Sequence, residues 1–199
     1  MKVLTCNVRC FGANDGPNHW IHRKEFCIAV IQAQAPDIIC FQELWAEPFA
    51  DLSAALPEFQ SYAMVDEPVG RRPQNGIFYR SAAYTRISAG GYWLSERPHV
   101  AGSRSWSSAC VRLANWVRLE DRATGWEFRV VNTHLDHISQ LAREHQARLI
   151  VEDAAAYPEH YPQILTGDMN CDSRNPAIDI FKTGDWADTY GAVHGTEDP

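Results

Sequence analysis

The 199-residue chain contains no apolar run near the roughly 20 residues that a membrane-spanning helix requires, so no helical span is expected. It has no Cys-x-x-Cys pair, which counts against a structural zinc site of ordinary spacing. It has no Gly-x-Ser-x-Gly, which counts against a serine hydrolase built on a nucleophile elbow. Internal repeats, low-complexity stretches and linker-like breaks in composition are also missing. Basic residues are in deficit: 18 Lys and Arg stand against 25 Asp and Glu, for a net charge of −7. Proteins that grip long duplexes usually present a basic face. A nucleic-acid substrate is therefore compatible with the chain but not favoured by its charge.

What is present is ordinary globular composition, with 45% hydrophobic residues, 11 Pro and 12 Gly. One domain over residues 1–199 is expected, since two would each be small. The six cysteines include some inside apolar segments, as in Ile38-Ile39-Cys40-Phe41, and read as free thiols in a reducing compartment. Met-Lys-Val-Leu-Thr-Cys-Asn-Val-Arg at the start carries too short an apolar stretch for a leader, so cytoplasm is the expected location.

Hydrophobic periodicity predicts strands at Val3–Val8, Asp37–Gln42, Gln60–Val65, Gly76–Arg80, Tyr84–Ser88, Tyr92–Ser95, Cys110–Glu120, Glu127–Thr133 and Gln163–Thr166. It predicts helices at His22–Gln34, Pro48–Leu56, Ser139–Tyr157 and Asn175–Lys182. The expected buried stripe of the first helix is His22, Phe26, Ala29, Val30 and Ala33. That of the long helix is Leu141, Ala142, His145 and Leu149, with Ser139 as its cap. Asp121–Gly125 reads as a hairpin loop and Gly191–Pro199 as a loop. This mixed order suggests packed sheets with helices outside.

Polar residues gather at the ends of predicted strands. In Asn132-Thr133-His134-Leu135-Asp136-His137, an extended backbone puts Asn132, His134 and Asp136 on one side. In Gly167-Asp168-Met169-Asn170, Asp168 and Asn170 share a side. Glu43 follows an apolar strand directly, and Asn7 sits inside the first strand, where its amide needs partners. Each has a plain structural reading as well. Glu43 alone is a solvated strand end, Asp168 and Asn170 shape a turn, and His145 on a helix is a core histidine. Together the carboxylate and amide oxygens form a hard donor set suited to Mg²⁺ or Mn²⁺. With a histidine near the phosphoryl oxygens and a carboxylate to orient water, they would compose a metal-assisted phosphoester hydrolysis site. Rival metal readings fit less well. His134 and His137 lack the helical Glu of a zincin, and the Gly-Asp-x-Asn of a calcineurin-like phosphatase lacks its companion motifs. Arg80, Arg112, Trp93 and Trp116 are candidate substrate-pocket residues, although for any one of them the plain structural reading is that the aromatics are core and the arginines surface.

The segments Thr5-Cys6-Asn7-Val8-Arg9, Gln42-Glu43, Ile77-Phe78-Tyr79-Arg80, Asn132-Thr133-His134-Leu135-Asp136 and Gly167-Asp168-Met169-Asn170 resemble, in order, the motifs of the endonuclease/exonuclease/phosphatase (deoxyribonuclease I-like) superfamily. Trp93-Leu94-Ser95-Glu96 and the Trp106-to-Trp116 stretch resemble its compact bacterial members. The resemblance implies an α/β sandwich of two packed mixed sheets with helices on both outer faces. It implies a Mg²⁺- or Mn²⁺-dependent phosphoester hydrolase acting on a phosphodiester or a small phosphorylated molecule. Glu43 would be the principal metal ligand with Asn7 beside it. His134 would stabilise phosphoryl oxygens, Asp168 would orient or deprotonate water, and Asn170 would hold phosphate or Asp168. Asp136 and His137 would support the site. The family's pattern continues into a final Ser-Asp-His segment that these 199 residues do not contain. The domain is therefore expected to be truncated at its C-terminus, with its last strands missing. A catalytically incomplete domain that binds metal or phosphate, or acts in an assembly, is the alternative reading.

Overall fold

Five consecutive buried residues, Ile38–Gln42, form the strand around which the first half of the chain is organised. Their side chains alternate: Ile39 and Phe41 point into one core, Ile38 and Cys40 into another. A strand buried on both faces must lie inside a layered structure. In the computed structural model, which describes residues 1–65 and 73–195, that structure is a sandwich of two four-stranded sheets.

The first sheet, A, contains β1 (Val3–Asn7), β2 (Ile38–Gln42), β3 (Phe59–Val65) and β4 (Pro73–Arg80), in the order β1-β2-β4-β3. The second, B, contains β5 (Tyr84–Trp93), β6 (Leu113–Asp121), β7 (Glu127–His134) and β8 (Gln163–Asp168), in sequential order. Each sheet has one parallel pair, β1/β2 and β7/β8; the remaining pairs are antiparallel. Parallel neighbours need a crossover, supplied by α1 (Trp20–Gln34) in sheet A and α3 (Gln140–Ala155) in sheet B. The other helices are α2 (Ala46–Ala55), α4 (Pro176–Thr183) and α5 (Thr189–His194). Among the described residues no helix is long and apolar enough to cross a membrane.

Three cores result. Ile38, Cys40, Ile77, Tyr79, Val117, Leu119 and Val130 fill the space between the sheets. Ile39, Phe41, Phe78, Ile31 and Leu52 join the outer face of sheet A to its helices. Ala114, Val131, Ala147, Ile150 and Phe181 do the same for sheet B.

Several expectations are corrected. The buried residues of α1 are Trp20, Ile28 and Ile31, while Phe26 and Val30 face outward. The buried residues of α3 are Ala142, Gln146, Ala147 and Ile150, and Leu141 is exposed. The two strands expected at Tyr84–Ser88 and Tyr92–Ser95 are the single strand β5. Gly90 and Gly91 do not break it. A Cβ on Gly91 would lie 2.5 Å from Met64 Sδ and 2.6 Å from the Ala114 carbonyl oxygen, so glycine there permits close approach. Part of the expected loop at Gly191–Pro199 belongs to α5, and residues 196–199 lie outside the described residues.

Candidate active site

The carboxyl ends of both parallel strand pairs meet at one end of the sandwich. Asn7 ends β1, Glu43 follows β2, His134 ends β7 and Asp168 ends β8. Ligands of α/β sheets characteristically bind beyond the carboxyl ends of the strands. Register fixes the arrangement within each sheet, with Asn7 opposite Gln42 and His134 opposite Asp168. Between the sheets the tie is Asn132. Its amide nitrogen donates to the Phe41 and Gly76 carbonyls of sheet A, and its oxygen accepts from Gln42 Nε2 at 2.7 Å.

Asn7 joins the two carboxylates. Its Nδ2 donates to Glu43 Oε1 and to Asp168 Oδ2, both at 2.9 Å. Its Oδ1 accepts from the Arg9 backbone N–H, which fixes the amide's orientation. Asn7 thus presents its nitrogen to the carboxylates and bridges them. Glu43 Oε2 accepts from the Cys10 backbone N–H at 2.6 Å, and Asp168 Oδ1 from the Asn170 backbone N–H at 3.0 Å. Asn170 Nδ2 in turn donates to the Leu135 carbonyl, so this residue secures Asp168 and the end of β7 together. Arg9, Glu43 and Asn170, none of them glycine, have φ of 61°, 55° and 51°. Three left-handed residues at three strand ends mark backbone strain concentrated at the site.

Burial pushes the carboxyls of Glu43 and Asp168 up, but hydrogen bonds from Asn7 and the backbone outweigh it and hold both below their ordinary range. His134 moves the other way for a basic group. Burial, reinforced by the nearby Arg112 guanidinium, lowers it to about 4 against the pull of Asp168 and Glu43. Its Nε2 lies 3.7 Å from Asp168 Oδ2.

These groups border a cavity of about 740 Å³ lined by Arg9, Glu43, Trp45, Arg104, Arg112, His134, His137 and Asn170 among others. A smaller cleft, lined by Asn7, Gln42, Asp168 and Asn170, adjoins it. Arg112 is buried, with Nη2 3.0 Å from His137 Nδ1 and Nε 3.9 Å from Asp136 Oδ2.

The structure thus brings together Asn7, Glu43, His134, Asp168, Asn170 and Arg112. It does not bring in Arg80, which donates to the Pro36 carbonyl and pairs with Asp37 and Glu58. Asn75 is the β4 residue beside Gln42, and Arg80 lies further along that strand at the opposite end. Asp136 is fully buried and does not itself line the cavity; it sits behind the wall, where its Oδ2 holds the Ala109 and Cys110 N–H groups. The strand alternation that grouped it with His134 ends with β7 at His134. Trp116 packs on the outer face of sheet B under the Arg129 guanidinium, and Trp93 is not among the residues of either cleft. Sequence reasoning missed Arg9, Trp45 and Arg104. Arg9 closes the first motif and Trp45 follows Glu43 by two positions, which was the available signal.

The donor chemistry allows a test for a divalent ion. Two carboxylates converge on one amide, and among the described residues no group of three or more His, Cys, Asp or Glu is arranged to hold a metal ion. That set does not suit zinc, which takes three or four protein ligands. It suits a hard ion such as Mg²⁺, which keeps several waters and uses one or two carboxylates plus substrate phosphate.

A family model described as the Endonuclease/Exonuclease/phosphatase family matches residues 4–197. The structure of the endonuclease/exonuclease/phosphatase from Bacteroides vulgatus superposes with a TM-score of 0.84 at 32% identity, covering 91% of this chain and 69% of that one. A mannosyl-6-phosphatase from Bacteroides thetaiotaomicron gives a TM-score of 0.84 at 29% identity, covering 92% and 70%. Nocturnin of Drosophila melanogaster is 27% identical over 166 residues, 79% of this chain; the chain spans about a quarter, 25%, of that protein's length. Sandwich topology, strand-end site and family match agree: the chain belongs to the endonuclease/exonuclease/phosphatase family and has its deoxyribonuclease I-like fold.

Proposed function

We propose that this protein is a phosphoester hydrolase dependent on Mg²⁺ or Mn²⁺, acting on a small phosphomonoester or phosphodiester. The observation that carries the reading is the Asn7 amide pinning Glu43 and Asp168 to one point, beside His134 and at the mouth of a cavity. Glu43 would hold the ion, with Asp168 adjacent; when bound, it supplies positive charge at the phosphoryl oxygens. His134, neutral at physiological pH, directs Nε2 at a phosphoryl oxygen as a hydrogen-bond donor while charge develops there. Asp168, ionised and held by Asn7 and the Asn170 N–H, accepts a proton from water and orients it for in-line attack on phosphorus. The P–O bond to the leaving group then breaks as the water oxygen bonds. Arg112 and His137 line the side of the cavity where anionic substrate oxygens would sit. Cavity size and the net charge favour a small phosphorylated molecule, and the structural similarity to a mannosyl-6-phosphatase makes sugar phosphates a first group to try.

The test is hydrolysis of p-nitrophenyl phosphate and its bis-ester, then of sugar phosphates, nucleotides, inositol phosphates, sphingomyelin and abasic DNA. Each is run with Mg²⁺ or Mn²⁺ and with chelator. Turnover should require the metal and fall by about 10²–10³-fold or more in Asp168→Asn, the scale of losing one group that acts in the transition state. Metal-independent turnover, or unchanged turnover in that variant, would defeat the mechanism. Mn²⁺ uptake without turnover on any ester would instead identify a metal- or phosphate-binding module.

A further inference from the structure

Helix α1 lies on the outer face of sheet A and runs antiparallel to its strand β1, and their steps match. Two strand residues advance about 6.6 Å and four helical residues about 6 Å. Hydrogen bonds fix the register at both ends. Arg23 Nη2 donates to the Val8 carbonyl, and Lys2 Nζ donates to the Gln34 carbonyl at 2.6 Å and to its side-chain oxygen at 3.0 Å. One step inward from Arg23 and Val8 places Cys27 opposite Cys6; the next places Ile31 opposite Leu4. All four residues belong to the same core.

The register thus puts two free, half-buried thiols face to face, and they hydrogen-bond to each other. A third group attends them. Arg23 lies one turn before Cys27, with its guanidinium held by the Val8 and Asn18 carbonyls. A cation beside a thiol pair disfavours capture of a metal ion and favours a thiolate. The hydrogen bond from Cys6, helped by Arg23, lowers the Cys27 thiol from its ordinary range despite burial. Donating that bond, together with burial, pushes the Cys6 thiol well above its ordinary range.

We propose that Cys6 and Cys27 form a redox-modification site that closes to a reversible disulfide, with a small peroxide as the oxidant. The Cys27 sulfur attacks one oxygen of hydrogen peroxide. The O–O bond breaks, leaving a sulfenic acid on Cys27 and, after protonation, one water. The Cys6 sulfur then attacks the Cys27 sulfur, the S–S bond forms and the S–O bond breaks. The departing hydroxide takes the Cys6 proton as a second water. The two thiols give up two electrons and the peroxide receives them; a dithiol reductant reverses the change. The cross-link lies one residue from Asn7, the amide that bridges the two carboxylates, so it fastens the strand carrying that amide to helix α1.

The experiment treats the reduced full chain with a small excess of hydrogen peroxide, blocks remaining thiols with N-ethylmaleimide and maps tryptic peptides by mass. The peptide Val3–Arg9 contains Cys6 as its single cysteine. It is expected joined to the peptide carrying Cys27, about 2 Da lighter than the sum of the two thiol peptides, with fragmentation locating the bond and dithiothreitol releasing it. In Cys27→Ser, Val3–Arg9 should remain alkylated after the same treatment. In Cys6→Ser, Cys27 should proceed to sulfinic and sulfonic acids. Wild-type protein in which Cys6 stays a free thiol while Cys27 over-oxidises would overturn the proposal. So would wild-type protein in which Cys6 pairs with another cysteine, or in which neither residue changes. The mapping of unmutated protein decides the matter even if a variant folds poorly.

Discussion

Asp136 ties together the backbone beside the cavity without lining it. Its Oδ2 accepts from Ser108 Oγ and from the Ala109 and Cys110 N–H groups, and its Oδ1 from the Ile138 and Ser139 N–H groups. Burial alone would raise its carboxyl, but these donors hold it down at about 2. Since the folded value lies below the unfolded one, near 3.9, the charged form contributes stability that is complete above pH ~4 and lost as pH falls toward 2. The contribution is about 2 kcal/mol. Urea unfolding of the wild type at pH 6, 4 and 3 should show that loss. Asp136→Asn should be weaker at pH 6 and flatter across the range; an equally steep decline in the variant would assign the acid sensitivity to another group. At this scale the sequence named candidate residues but not which way they point. His134 and Asp136 stand two positions apart, yet one faces a cavity and the other anchors the Ser108–Cys110 backbone. Only the point where the strand stops separates them. Arg80 was misplaced for a related reason: a motif names a strand, and the strand has two ends.

Among the elements, β2 was legible throughout because burial on both faces leaves a continuous apolar run. Helix α1 was legible as a helix but not in orientation, since apolar residues occupy two stripes. Trp20, Ile28 and Ile31 form one; Phe26, Ala29, Val30 and Ala33 form the other. The polar residues that should have decided between them misled, because Arg23 and Lys24 reach over the buried side to Val8 and Asp51 along their aliphatic stems. A pair of substitutions separates the two orientations. Phe26, 74% exposed, should tolerate Ala within about 0.5 kcal/mol. Ile31→Ala should cost about 2–5 kcal/mol in chemical denaturation, and the reverse ranking would turn the helix over. Strand β5 makes a companion case. Gly90-Gly91 reads as a break, and only the opposing Met64 and Ala114 reveal close packing as the reason for glycine. Gly91→Ala should destabilise by about 1–3 kcal/mol, the usual cost of overpacking. Its midpoint in urea should shift well below the wild type's; an unchanged midpoint would mean that the strand has room at this point.

For the molecule as a whole, the order of elements announced two sheets with outer helices, because each parallel pair with its crossover helix is a local pattern. The site was legible as a set of residues but not as a place, since Asn7 and Glu43 belong to one sheet and His134 and Asp168 to the other. Their meeting depends on how the sheets face each other, through buried ties such as Asn132 to Phe41, Gly76 and Gln42 that no periodicity encodes. A ligand bound across that seam should therefore stabilise the entire sandwich. At a Mg²⁺ or Mn²⁺ concentration 100 times the Kd, the gain is about 2.7 kcal/mol. At about 2–4 °C per kcal/mol for a chain of this size, Tm should rise by roughly 5–10 °C. Thermal melts with increasing metal at constant ionic strength should show that rise in the wild type, and chelator should reverse it. The rise should vanish in Glu43→Gln, which removes a charge the ion needs while keeping a side chain of similar shape. If the variant gains as much as the wild type, the ion binds elsewhere and the two sheets do not share it.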